Sequence, residues 1–299
     1  MSLAHTSGIL LLDKPSGMSS STAVQRVRHA FGRIKAGHTG SLDPLATGVL
    51  PICLGEGTKV AGYLLDGDKE YEFTARFGGR TSTGDLEGPV VETADVPVDL
   101  EARLRAVMSA FTGSLQQIPP MYSALKRDGQ PLYKLARQGI EVVREPRTVQ
   151  IHELVLRQAG ATEAQFHVRC SKGTYIRTLA EDLARAIGTC AHLSALRRTS
   201  VVPFDSGDMQ TLEAVLAAPE SARLIAPDAA LPHLPRTDLG ADSTRRLQQG
   251  QAVIPQCDGE PGLARAYGPA GLFLGLVEIE PGPLVKPVRL FNNLGADST

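Results

Sequence analysis

The sequence predicts an α+β protein: one large domain of strands and amphipathic helices, followed by a small β-rich unit. Three observations predict it. KEYEFTARFGG (69–79) alternates, with Tyr71, Phe73, Ala75 and Phe77 on one side and Glu70, Glu72, Thr74 and Arg76 on the other, as a half-buried strand does. DLEARLRAVMSAFTG (99–113) and TYIRTLAEDLARAIG (174–188) instead space their apolar residues at the helical period. RTVQIHELVLRQ and EAQFHVRCS alternate again, as a hairpin pair does.

The remaining elements follow in chain order. GILLLDKP (8–15) reads as a short buried strand closed by Lys-Pro. In SSSTAVQRVRHAFG the serines can cap a helix, Val24, Val27 and Phe31 share a face, and Gly32 stops it. The helix at 99–113 is capped by Asp99 and carries Leu100, Leu104, Val107 and Phe111 as its stripe. Residues 114–147 combine several prolines with many cations and read as a long loop or arm bearing a short helix. The helix at 174–188 aligns Ile176, Leu179, Leu183 and Ile187 and stops at Gly188. APDAALPHLPRTD (226–238) reads as a linker. Beyond it, RLQQGQAVIP and GPAGLFLGLVEIEPGPLVKPVRLF suggest the β-rich unit, close to the lower size limit for independent folding. LGADST occurs at 239–244 and again at 294–299, with no repeat architecture around it.

The chain has 299 residues, 42% of them apolar and 21% charged, enough to bury a sizeable core. Its N-terminus lacks a basic region before a long apolar run, which speaks against a signal peptide, and no stretch reaches the length of a membrane span. Cys53, Cys170, Cys190 and Cys257 form no CxxC pair, so structural zinc is not expected and free thiols in a reducing cytoplasm are. A net charge of −1 speaks against bulk electrostatic binding of nucleic acid. Cations nevertheless gather in residues 1–40, 126–147 and 169–198 while 61–105 is acidic, so the chain supports either a local basic face or ordinary solvated surfaces.

One stretch stands out: GHTGSLDPLATGVLPICLGEGTKV (37–60). Proline keeps the residue before it out of the α region, so Asp43-Pro44 most simply reads as a helix N-cap followed by N1. The alternative takes account of Gly37 and Gly40, which allow close approach, and of His38, Thr39 and Ser41; a carboxylate on such a turn suits a nucleophile or base. Tyr71 fits a core aromatic or a platform for a nucleobase. Arg177 opens a helix, where a cation gains nothing from the dipole, which suggests a carboxylate or phosphate partner. GEGTK (55–59) lacks the spacing of a phosphate-binding P-loop, and no GxGxxG opens a helix. KRDG (126–129) fits the K-x-D-G pattern of lysine-adenylating ligases, which would make Lys126 a nucleotidyl-transfer nucleophile.

LLLDKPSGMSS, the stretch around Asp43, DKEYEF, PPMYSALK and GTYIRTLAEDL…AHLSALRR, in this order, resemble the motifs of the TruB family of bacterial tRNA pseudouridine synthases over residues 8 to about 205. The resemblance implies a mixed, largely antiparallel central sheet flanked by helices, the pseudouridine synthase fold. It implies a catalytic domain at 1–232 with a thumb-like arm at 120–147, and a PUA-like RNA-binding domain at 236–292. It implies isomerisation of uridine 55 in the T loop of tRNA by base flipping, in a cytoplasmic monomer, with no metal or cofactor and no membrane partner. Residue by residue, Asp43 matches the catalytic aspartate, Tyr71 the stacking tyrosine, Arg177 the arginine that pairs with the carboxylate, and His38 the histidine that enters the T loop. Tyr175, Lys172 and Leu196 match pocket residues and Asp85 a polar residue near them. Lys14 in the first motif, and Lys126 and Arg127 on the arm, are expected to contact RNA. A protein that only grips and folds tRNA, without chemistry, is the competing reading from another class.

Overall fold

In the computed structural model, residues 6–256, 259–282 and 284–292 are described. Strand β1 (Gly8–Lys14) is buried on both faces, which is why its sequence reads as an unbroken apolar run. Leu10 and Leu12 enter the main core, while Ile9 and Leu11 enter a second core behind the sheet. Helix α1 (Ser20–Ala30) starts at Ser19, whose hydroxyl accepts a hydrogen bond from the Thr22 amide, and buries Val24 and Val27. It ends at Gly32, whose φ of +71° suits glycine. Then come β2 (Ala36–His38), β3 (Thr47–Leu54), the short α2 (Ala61–Asp66) and β4 (Lys69–Phe77), whose inward side chains are those the alternation predicts. A hairpin of β5 (Gly79–Thr81) and β6 (Val90–Thr93) leads to α3 (Leu100–Val107).

The helix expected at 99–113 is shorter. It tightens into a 3₁₀ turn at Met108–Phe111, and Gly113 at φ +98° starts the edge strand β7 (Gly113–Gln117). Asp99 does not cap the backbone; its carboxylate accepts from Arg103 Nε at 2.7 Å instead. The arm therefore begins after an ordered strand. It holds β8 (Lys126–Arg127), β9 (Gln130–Pro131) and α4 (Leu132–Arg137). The predicted hairpin is β10 (Arg147–Ala159) with β11 (Glu163–Cys170), and the second predicted helix is α5 (Ile176–Ala186). Strand β12 (Ala191–Val201) and the short β13 (Phe204–Asp205), β14 (Gln210–Thr211) and α6 (Leu212–Ala217) complete the large unit.

The main sheet runs β14-β1-β3-β12-β4-β11-β10-β7, with β2 on β3 and β13 on β12. Only β1–β14 and β3–β12 pair in parallel, so the sheet is mixed and largely antiparallel, as expected. Along one edge of β3, β12 pairs only at Thr47 and Gly48 and β2 only at 52–54, which leaves a gap at residues 49–51. Pro51 sits in that gap, where a missing N–H in a strand is tolerated.

The small unit comprises β15 (Arg236–Asp238), α7 (Ala241–Gln248), β16 (Gly262–Tyr267), β17 (Phe273–Glu280) and β18 (Leu284–Leu290), its four strands forming one sheet in that order. Two expectations change here. RLQQG ends a helix, and the proline-rich 226–238 is no free linker: Ala230 and Leu231 are buried with Ile9, Leu11, Tyr267 and Phe291 in the second core. GEGTK has a structural use, because Lys59 Nζ donates to Leu290 O (2.6 Å) and Glu56 accepts from the Asn292 amide (2.6 Å), tying β18 to the large unit. The first LGADST supplies the start of α7; the second copy and Cys257 lie outside the described residues. Cys53, Cys170 and Cys190 are buried free thiols. Among the described residues no helix is long and apolar enough to cross a membrane.

Candidate active site

Asp43 lies on a turn between β2 and β3, and no helix follows it, so the N-cap reading does not hold: the next element is a strand. The turn is pinned on both sides of the carboxylate. Before it, Ser20 of α1 clamps Leu42, its hydroxyl donating to Leu42 O (3.0 Å) and accepting from Leu42 N (2.7 Å). After it, Pro44 O accepts from the Gly17 amide (2.9 Å) and from Lys14 Nζ (3.3 Å). Lys14 also donates to Pro15 O and Met18 O and is 0% exposed, so its ammonium is committed to carbonyls. Lys14, expected to contact RNA, instead braces the turn from within.

Arg177, near the start of α5, meets Asp43 edge-on. Nε lies 2.9 Å from Oδ2 and Nη2 donates to Oδ1 at 3.2 Å. Its other protons go to Thr83 O (2.7 Å) and Tyr122 O (2.8 Å), so one guanidinium joins the Asp43 turn, the loop after β5 and the root of the arm. Gly84, at φ +75°, lets that loop pass close to the arginine: a Cβ there would lie 3.3 Å from Arg177 Cβ. The Arg177 side chain is 5% exposed and that of Asp43 is 37% exposed, so the carboxylate faces outward and the guanidinium backs it.

Burial raises the Asp43 carboxyl above the ordinary range, Arg177 opposes that shift, and the Asp85 carboxylate adds to it. Lys14 is lowered to about 8, chiefly by burial. Burial also raises the Tyr71 hydroxyl, keeping it a neutral phenol, with the Arg198 charge pulling the other way. His38 is lowered by burial and by Arg198, and its Nδ1 is buried with no hydrogen-bond partner.

The other expected residues divide into two groups. Tyr175 immediately precedes α5 and is held by Gln117, which accepts from its amide (3.0 Å) and donates to its carbonyl (3.3 Å). Leu196 is buried on β12 opposite Phe73. Asp85 is buried too, and its Oδ1 accepts from Thr83 Oγ1 (2.6 Å) and the Glu87 amide (3.0 Å), closing the loop that meets Arg177. Lys172 is exposed and pairs with Asp66 at 2.5 Å. Lys126 and Arg127 are exposed on the arm. The KRDG tetrapeptide there is a hairpin whose Asp128 and Gly129 both have positive φ (50° and 81°), a turn chemistry that accounts for the motif.

Two contributors were not foreseen. Ser20 was read only as a possible cap. Arg198 is 1% exposed and donates from Nε to Val49 O (2.8 Å) and from Nη2 to Gly40 O (3.0 Å). One signal was present: Arg198 stands two residues after Leu196, on the inward side of a strand, an unusual place for an arginine. Together these residues form an arrangement of one partly exposed carboxylate, buried cations and a turn fixed by hydrogen bonds. It suits acid–base or nucleophilic work on a large substrate.

Comparison with known proteins shows the family. Residues 28–176 match the TruB family pseudouridylate synthase (N terminal domain). Residues 177–232 match the tRNA pseudouridylate synthase B C-terminal domain, and 235–291 the family described as Pseudouridine synthase II TruB, C-terminal. The tRNA pseudouridine synthase B of Aromatoleum aromaticum is 49% identical over 290 residues, covering 96% of this chain and 93% of that one. Its counterpart from Chromohalobacter salexigens is 47% identical over 290 residues, covering 95% and 94%. Among solved structures, a chain of a Cbf5-Nop10-Gar1 complex is similar at a TM-score of 0.72 and 25% identity, over 97% of this chain and 86% of that one. A chain of an H/ACA RNP bound to a substrate RNA containing 2′-deoxyuridine is similar in fold at a TM-score of 0.70 and 23% identity, over 95% and 85%.

Proposed function

The chain belongs to the TruB family of pseudouridylate synthases, and from that premise we propose that Asp43 is the carboxylate through which it converts a uridine of the tRNA T loop, position 55, to pseudouridine. The chain is an isomerase that acts on tRNA. The observation that supports Asp43 most directly is its geometry: an outward carboxylate gripped edge-on by a buried arginine, on a turn braced from both ends.

The reaction breaks the C1′–N1 bond, turns the base and rejoins it through C5. Atoms and electrons balance within the substrate, so one carboxylate, acting on sugar or base, is sufficient. A stacked base is out of reach, and flipping it costs a few kcal/mol. Stacking on Tyr71 returns roughly 1–3 kcal/mol. His38, neutral beside Arg198, fills the vacated space. Arg177 limits the rise in the Asp43 pKa that burial causes, preserving the ionised form. Lys126, Arg127 and Lys172, all exposed, meet phosphates.

We further assign residues 1–232 to the catalytic unit, with the arm at 120–147, and 236–292 to a PUA-like RNA-binding unit. We infer a cytoplasmic monomer, and the buried free thiols Cys53, Cys170 and Cys190 fit a reducing compartment. The test is incubation with an unmodified T-arm stem-loop, followed by chemical mapping of pseudouridine. Conversion at the position equivalent to 55 is expected. Binding of the stem-loop without conversion would leave only an RNA-gripping role.

A further inference from the structure

We propose that Arg198 is a positioning residue for the isomerisation: it locks the Tyr71 hydroxyl and the Gly40 end of the Asp43 turn into one unit. The proposal rests on the reading of this cleft as a pseudouridine synthase site. It starts from an anomaly. Two arginines stand side by side on β12, and they are neutralised differently. Arg197 forms a two-pronged ion pair with Asp13, with both contacts at 3.0 Å. Arg198 is fully buried, no carboxylate pairs with it among the described residues, and Tyr71 stands opposite it on β4. A buried cation without an acid costs stability unless its geometry is satisfied in full.

Two arms of that geometry are hydrogen bonds to the backbone. Nε donates to Val49 O at 2.8 Å, inside the gap that β2 and β12 leave along β3. Nη2 donates to Gly40 O at 3.0 Å, three residues before Asp43. Tyr71 faces Arg198 in the β4–β12 register and is buried with it, so its hydroxyl is assigned the remaining donor direction. Close packing fixes the backbone behind it: Gly48 approaches so tightly that a Cβ would lie 2.1 Å from Arg198 O. A planar fork with fixed donor directions can hold three such partners at once, and a flexible ammonium cannot. Arg198 thus sets the separation between the stacking ring and the catalytic turn without itself touching substrate. Burial first and the Arg198 charge second lower the His38 imidazole, which favours its neutral form.

The test is a double-mutant cycle. Arg198→Met and Arg198→Lys are each made in the wild-type and Tyr71→Phe backgrounds. Single-turnover pseudouridine formation and RNA affinity are measured on the unmodified T-arm stem-loop, with thermal unfolding alongside. Arg198→Met is expected to slow single turnover about 100-fold, the scale of a displaced reacting geometry, with RNA affinity changed less than about threefold. In the Tyr71→Phe background the same change is expected to cost at least about tenfold less, because the hydroxyl it orients is gone. Arg198→Lys is expected to keep most of the defect. Equal losses in both backgrounds, a loss confined to RNA affinity, or full rescue by lysine would each overturn the proposal. If Arg198→Met does not fold, the cycle run with Arg198→Lys decides by the same criteria. A folded wild type that forms no pseudouridine would instead overturn the functional reading beneath it.

Discussion

Residues 37–50 and residues 120–147 both meet Arg177 and are held in contrasting ways. The first segment is held by four residues: Ser20 clamps Leu42, Lys14 and Gly17 hold Pro44 O, and Arg198 holds Gly40 O and Val49 O. The second exposes most of its side chains, and only Ser123 and Leu132 in it are fully buried. Its internal order rests on a two-pair hairpin, a six-residue helix and bonds such as Arg127 Nη1 to Val143 O, and Tyr122 O ties it to Arg177. Reacting groups need fixed geometry, whereas a segment that admits folded RNA must open at low cost. The molecule keeps these demands apart and joins them through one side chain, Arg177.

The contrast can be broken at several points. Asp43→Asn on the rigid side keeps the turn but removes the charge. Pseudouridine formation is expected to fall by at least about a thousandfold with RNA affinity retained, since a lost catalytic carboxylate costs orders of magnitude. Normal turnover in that variant would end the assignment. Acid should act on the same group. The folded Asp43 carboxyl is raised, so the active ionised form is lost as pH falls, beginning above the ordinary carboxylate range. A single-turnover pH profile whose acidic limb lies at or below the ordinary aspartate value would contradict this.

Tyr71 gives the next effect. Tyr71→Leu should weaken stem-loop binding by roughly 5- to 150-fold, corresponding to about 1–3 kcal/mol of stacking, while Tyr71→Phe keeps it. Equal affinities would remove the stacking role. On the arm the effects should be smallest. Lys126→Ala and Arg127→Ala should each lower affinity only severalfold and reduce the slope of log affinity against log salt by about one. A loss as large as that of Asp43→Asn would mean the arm carries chemistry.

Much of the architecture is legible in local pattern. Period-two alternation marks β4 and the β10–β11 hairpin, and helical spacing with glycine stops marks α1 and α5. Asp43 was visible as an acid on a glycine-lined turn, and Arg177 as a cation at the wrong end of a helix. Strand β3 was not called from its pattern, since it is apolar on both faces and contains Pro51, which speaks against a central strand. The 226–238 segment looks like a linker because its prolines outweigh its few apolar residues, yet Ala230 and Leu231 join a core that includes residues more than 160 positions away in sequence, Ile9 and Leu11 among them.

By itself, the order of residues decided where chain direction changes, which faces are apolar, and which acid stands on a stiff turn, because those depend on neighbours a few positions apart. It did not decide that Lys14 is buried and spent on carbonyls, or that Arg198 lies behind Tyr71 while Arg197 beside it pairs with Asp13. A cation's environment is set by oxygens that only folding brings near: Pro44 O is 30 residues from Lys14, and Val49 O is 149 residues from Arg198. Solvation and charge pairing are therefore tertiary properties, and they separate a surface lysine or arginine from one that holds an active site in place.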